Sequence, residues 1–349
     1  MAYTPKYFRG WHNIQFPTSS QDNEPKYDPK IAWWLAQCSQ LSYENKITVA
    51  TELRAANFTH VVFFDNEGTQ AFLAVHPGVS GGEKFAVLAF RGTEQDSIDI
   101  LTDINFVTRL FPDENLVEEP TQEPEALQKE SNKNKKDEDN KKLYAHGGFL
   151  KGVLNVWGCA LRQEIKDIYP NVSSDWKGAP GLSNAICELG LDTPLYFTGH
   201  SLGGALATLA AYKALVYKSN VKINALYTFG SPRTAQRPLA KAINKELSGK
   251  LYRVVNYIDV VPRLPPRIPV ILAFRHIEKL IYFNKNREPQ ELSQPGILLS
   301  DVSVLLLAIL EVALSWLSFK KYVPQTIQKH MITEYIKDIE HEIGLKGTN

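Results

Sequence analysis

Thr198-Gly199-His200-Ser201-Leu202-Gly203-Gly204-Ala205-Leu206-Ala207 is the stretch on which the fold turns. It follows an apolar run, Leu195 to Thr198, that reads as a buried strand, and it opens a run of small residues, Ala205 to Tyr217, that reads as a helix. Between them, Gly199-His200-Ser201-Leu202-Gly203 has the G-x-S-x-G form of a nucleophile elbow. A turn that tight leaves no space for side chains beside the serine, which accounts for the glycines, and it aims a backbone N–H at the site a substrate oxygen would occupy. A glycine-rich turn with an incidental serine is the competing reading, and it gives no reason for strand, glycines and helix to coincide.

The surrounding chain alternates in the same way. Helical spacing of Trp33, Trp34, Leu35, Cys38 and Leu41 predicts a helix over 31–43, and a second is expected over 149–169, ended by Pro170. Strand-like runs fall at 60–64, 71–76, 85–90, 195–198, 225–229 and 251–257. Strand, helix, strand in succession builds a mostly parallel sheet covered by helices on both faces. The expectation is one α/β domain over 1–349, enlarged by insertions.

A serine is a weak nucleophile and needs a base and an acid to orient that base, in the order Ser, Asp, His for this architecture. Asp259 follows the strand-like run at 251–257, where the carboxyl ends of α/β strands present their sites. Two histidines lie beyond it: His276, 17 residues on, and His330, 71 residues on. Spacing does not separate them, because such triads assemble in space. His12, His60, His76, His146, His200 and His341 read as structural or exposed.

The 349 residues carry 39 basic and 38 acidic side chains, 44% apolar content and three cysteines. A disulfide framework, a collagen-like fibre and a wholly disordered chain are excluded, and the balance near zero argues against a nucleic-acid partner. Cys38, Cys159 and Cys187 read as small buried hydrophobes. The balance is uneven along the chain. Residues 113–142 hold ten acidic and six basic side chains with four apolar ones, too little to offset ordering entropy, so a solvated, disordered insertion is expected there. The amino-terminal 20 residues have no apolar core resembling a secretory signal, which reads as a cytoplasmic protein. Residues 297–319 are mostly apolar, but Asp301 and Glu311 interrupt them, which favours a helix docked on the body or lying in a membrane surface over a span.

Several blocks together carry a family resemblance: Ala89-Phe-Arg-Gly-Thr93, His146-Gly-Gly-Phe149, the elbow stretch, Tyr227-Thr-Phe-Gly-Ser-Pro-Arg233, Arg253-Val-Val-Asn256 with Asp259-Val-Val-Pro262, and His330 with Tyr335. In this order they resemble the class 3 lipases. The resemblance implies an α/β-hydrolase fold with Ser201 as nucleophile, Asp259 as orienting acid and His330 as base. His276 fits the non-catalytic histidine that usually follows the aspartate in that family. Thr93 and Leu202 are implied as oxyanion-hole donors, each worth about 10²- to 10³-fold in rate. A short lid helix over 94–112 is implied too, and Ile98, Leu101, Ile104, Val107, Leu110 and Phe111 recur there at near-helical spacing; an ordinary packed helix shows the same pattern.

The expected function is hydrolysis of carboxylic esters of lipids, triacylglycerol lipase-like, through an acyl-enzyme, with phospholipase A1 or galactolipase action as a variant on the same machinery. A non-catalytic binding or signalling module on the same fold is the reading from a different class. No metal or organic cofactor is called for. The expected partner is a lipid ester, with peripheral contact to a membrane or lipid-droplet surface.

Overall fold

The structure is a computed structural model that describes residues 6–14, 16, 26–79, 82–93, 108–111, 142–157, 181–216, 221–265, 274–277, 279–292 and 325–345. All but the last residue of the insertion expected at 113–142, the apolar stretch at 297–319 and residues 94–107 of the expected lid lie outside these residues.

Among the described residues the strands in chain order are β1 (His60–Asn66), β2 (Thr69–His76), β3 (Phe85–Phe90), β4 (Thr108–Leu110), β5 (Tyr144–His146), β6 (Leu195–His200), β7 (Ile223–Phe229), β8 (Ala235–Gln236), β9 (Leu251–Asn256), β10 (Phe274–Arg275), β11 (Leu280–Phe283) and β12 (Pro289–Leu292). The main sheet runs β1-β2-β3-β6-β7-β9-β11-β12. Its centre, from β3 through β6, β7 and β9 to β11, is parallel, and both edges are antiparallel. The mostly parallel sheet expected from the alternation is therefore present, with hairpin edges that the alternation did not reveal.

Among the described residues the α-helices longer than one turn are α1 (Pro29–Leu41), α2 (Lys46–Ala55), α3 (Gly147–Trp157), α4 (Gly181–Leu189), α5 (Leu202–Val216), α6 (Arg237–Glu246) and α7 (Ile332–Glu342). Two start on side-chain caps: Asp28 accepts from the N–H groups of Lys30 and Ile31 ahead of Pro29, and Asn45 from that of Thr48. Alternate strand residues feed opposite cores. On β3, Ala86, Leu88 and Phe90 pack beneath α3, α4, α5 and α6, whereas Phe85, Val87 and Ala89 face α1, α2 and α7.

Two details depart from expectation. Thr108–Leu110 form β4, which pairs with β5, and Phe111 is buried against Tyr212, so the helix expected over 94–112 does not continue through 108–111. Two- and three-residue strands such as these, which make up a second sheet ordered β10-β8-β5-β4, are too short to show a period. Cys187 is exposed on the outer side of α4, contrary to the expectation of a buried thiol, while Cys38 is buried.

The amino-terminal segment belongs to the fold. Buried Glu52 accepts from the backbone N–H groups of Lys6 and Tyr7 at 3.0 Å each, and Tyr7, Phe8, Ile14 and Phe16 join the core on the α1 side. The Trp34 indole donates to the Ile14 carbonyl at 3.0 Å. Beside it His76, ringed by Trp11, Trp34, Phe58 and Phe85, donates from Nε2 to Ala56 and accepts at Nδ1 from Gly78.

Burial pushes the His76 pKa down to about 4. A folded-state value below the unfolded value of about 6.5 means that His76 supports stability above that pH and withdraws the support as pH falls toward 4. Between pH 6.5 and 5 the unfolding free energy of the wild type should fall by about 1 kcal/mol per pH unit more steeply than that of His76→Gln. Urea titrations at several pH values measure both slopes; equal slopes would refute the assignment.

Candidate active site

Ser201 sits between β6 and α5 with φ +57°, a left-handed conformation uncommon for a residue with a side chain. The glycines around it allow the approach that forces this. A Cβ on Gly199 would lie 2.3 Å from the Gly203 carbonyl carbon, and one on Gly203 would lie 2.3 Å from the Phe90 carbonyl oxygen. The Ser201 N–H donates to the Phe229 carbonyl at the end of β7, and the residue is 1% exposed with its hydroxyl buried. Leu202 is the first residue of α5, so its N–H is one of the helix donors with no acceptor inside the helix. Thr93 lies three residues past the end of the neighbouring strand β3 and is half-buried.

Asp259 leaves the end of β9 and is fully buried. Its two oxygens face three donors: Val261 N–H at 2.9 Å on Oδ1, the Tyr335 hydroxyl on Oδ2, and Nδ1 of His330 at 3.1 and 2.9 Å. Arg263 donates to the Asp259 backbone carbonyl. Burial holds the Tyr335 phenol well above its ordinary pKa, so it keeps the proton it donates. The same hydroxyl accepts from the Asn256 N–H at 3.2 Å.

His330 precedes α7 and is 2% exposed. With a carboxylate at Nδ1 the proton sits there, and Nε2 keeps a lone pair. Nε2 of His330 and Oγ of Ser201 are both buried, and neither has a hydrogen-bond partner among the described residues. His276, the other candidate base, is elsewhere: it donates to the Pro262 carbonyl, and burial with Arg253, Arg233 and Arg263 nearby holds its pKa well below the ordinary value.

Arg91 to Thr93, Ser201, Gly230 and Asp259 thus follow β3, β6, β7 and β9, the carboxyl ends of adjoining parallel strands. Gly230 had no signal in the sequence beyond its block. At φ +60° it passes so close to the pair that a Cβ would lie 2.9 Å from Asp259 Oδ2 and 2.9 Å from His330 Nδ1. His200, read as structural or exposed, is buried and lies against His330 with ring centroids 4.6 Å apart.

No group of three or more His, Cys, Asp or Glu among the described residues could hold a metal. None of the described helices is long and apolar enough to cross a membrane.

The family model for lipase (class 3) matches residues 87–268. A secreted mono- and diacylglycerol lipase of Malassezia restricta is 32% identical over 149 residues, 39% of this chain and 48% of that protein. A chloroplastic phospholipase A(1) of Arabidopsis thaliana is 40% identical over 76 residues, 21% of this chain and 17% of that protein. The chain thus spans at most about half the length of these relatives. Among solved structures, a fungal lipase–inhibitor complex matches with a TM-score of 0.50 at 19% identity, covering 78% of this chain and 88% of that one, which supports the α/β-hydrolase fold.

The Malassezia relative is named as secreted, and this overturns the expectation of a cytoplasmic protein. That expectation drew on the composition of the first 20 residues. Tyr7, Phe8, Ile14 and Phe16 are core residues, so the composition there answers to packing and not to compartment.

Gly230→Ala should lower kcat on a soluble nitrophenyl ester by about 10²-fold or more, because the new methyl displaces the Asp259–His330 pair from working geometry. Steady-state kinetics tests this, and a variant within threefold of wild type would count against it.

Proposed function

Since the class 3 lipase model matches just over half of its length, this chain belongs to the class 3 lipase family, and on that premise we propose that it hydrolyses carboxylic esters of lipids at Ser201. Supporting the reading most directly is the pair of buried atoms without partners. Buried polar atoms in proteins generally find partners, and among the described residues Ser201 Oγ and His330 Nε2 are both left open while Asp259 holds the far side of the imidazole.

The chemistry follows from these atoms. His330 Nε2 takes the Ser201 proton as Oγ attacks the ester carbonyl, and Asp259 stabilises the imidazolium that forms. The tetrahedral oxyanion rests on the N–H groups of Leu202 and Thr93. Collapse expels the alcohol, which takes the proton from His330, and leaves an acyl-enzyme. Water, deprotonated by the same Nε2, then attacks the acyl carbonyl, and as the acyl–Oγ bond breaks Ser201 Oγ takes that proton back from His330 and the fatty acid is released. Tyr335 and the Val261 N–H keep the carboxylate from turning away from the ring.

The relatives bear on the substrate. One is named a mono- and diacylglycerol lipase and another a phospholipase A(1), so glycerol esters come first and phospholipid is the second reading. Ser201→Ala should lower turnover of a nitrophenyl ester by roughly 10⁶-fold, the loss typical of removing a triad serine. Fatty acid released from mono-, di- and triacylglycerols, phosphatidylcholine and galactolipid identifies the class. The expected order puts partial acylglycerols ahead of phospholipid. Release from none of the panel by the wild type would contradict the proposal.

A further inference from the structure

His200 lies between the segment that carries Thr93 and the backbone of His330. Its Nε2 is 2.5 Å from the His330 carbonyl oxygen, and its Nδ1 is 2.8 Å from the Tyr43 hydroxyl. A carbonyl only accepts, so the Nε2 carries the proton. Burial holds the His200 pKa well below its ordinary value, which keeps the ring neutral and leaves a lone pair on Nδ1. Tyr43 must then donate to it. Burial also pushes the Tyr43 phenol upward, so that proton stays in place, and the phenol oxygen in turn accepts from the backbone N–H of Gly92. Gly92 lies so close that a Cβ there would sit 2.1 Å from the Tyr43 oxygen.

Every link therefore points one way: Gly92 N–H to Tyr43 oxygen, Tyr43 O–H to His200 Nδ1, His200 Nε2–H to the His330 carbonyl. Bonds aligned in series polarise one another. The far end matters because His330 follows a short helical turn, Gln325–Gln328, and its own N–H goes only to Ile327 within that turn. Asp259 fixes the imidazole at Nδ1 and His200 fixes the peptide carbonyl, while the two imidazoles lie tilted by 33° with centroids 4.6 Å apart.

We propose that Tyr43 and His200 are positioning residues that tie the Arg91–Thr93 segment to the backbone of His330, so that the oxyanion donor and the base are held in register. The inference rests on the hydrolase reading of Ser201. Removing the Tyr43 hydroxyl strips Gly92 of its acceptor and His200 of the donor that selects its tautomer. The Nδ1–H tautomer would then set a lone pair against the His330 carbonyl. Neither residue touches the ester in this reading, so the loss falls on kcat and not on KM.

The test compares Tyr43→Phe, His200→Leu and His200→Gln with wild type on a soluble nitrophenyl ester, with the melting temperature of each. Gln is included because its amide can still donate to the His330 carbonyl. Tyr43→Phe and His200→Leu should lose about 10- to 100-fold in kcat with KM within twofold. His200→Gln should recover at least tenfold over His200→Leu at the same melting temperature. Unchanged kcat in both Tyr43→Phe and His200→Leu would overturn the proposal, as would a loss that tracks melting temperature and is not relieved by Gln. Should the wild type neither turn over the ester nor label with a fluorophosphonate, the hydrolase reading fails first and takes this one with it.

Discussion

Where β6 meets α5 there is no room for a Cβ, and the rest of the site is built around that lack of room. Gly199 and Gly203 pack against each other and against the Phe90 carbonyl at the end of β3, which brings the start of α5 directly onto the sheet. Ser201 is left with φ +57°, a conformation that costs of order 1–3 kcal/mol and persists only where the surroundings over-determine it. Here they do: its N–H is bonded to Phe229 on the next strand, and α5 beyond it is buried along nearly its whole length. The strain is held by the packing of α5 against β3, β6 and β7.

That junction also decides what can stand opposite the serine. Parallel strands end on one side of a sheet, so the loops after β3, β7 and β9 converge on the loop after β6. Each adds one thing: Arg91 to Thr93, the bare backbone of Gly230, and the carboxylate of Asp259. The histidine comes from the far end of the chain, and α7 anchors it. Tyr335 reaches Asp259 from the first turn of that helix, and Arg287 pairs with Asp338 at 2.7 Å farther along. Lys329, next to His330, pairs with Glu334 at 2.9 Å. The position of the His330 imidazole thus depends on contacts made by the helix after it as much as on the aspartate.

Much of this was legible in the residues. β3 matches its expected bounds, and α1, β1, β2, β6, β7 and β9 begin or end within two residues of theirs, because each is a dense apolar run with one period. The elbow was legible because strand, glycines and small-residue helix coincide. Distance in the chain hid the rest. Spacing did not say whether His276 or His330 meets Asp259; the resemblance implied His330, and the fold sets one histidine among three arginines and the other on the carboxylate. Gly230, Tyr43 and His200 act through close approach and hydrogen-bond direction, which leave no spacing to read. The amino-terminal residues misled for a related reason: a stretch selected for packing was read for its compartment.

Whether Ser201 is the nucleophile and His330 its base is tested most directly by chemical modification. Wild-type protein and His330→Ala are incubated with a fluorophosphonate, digested, and mapped by peptide mass spectrometry. One adduct on the peptide containing Ser201 in the wild type, formed at least a hundredfold more slowly in His330→Ala, is the expected result. No adduct on Ser201, or labelling at the same rate without His330, would contradict the central claim.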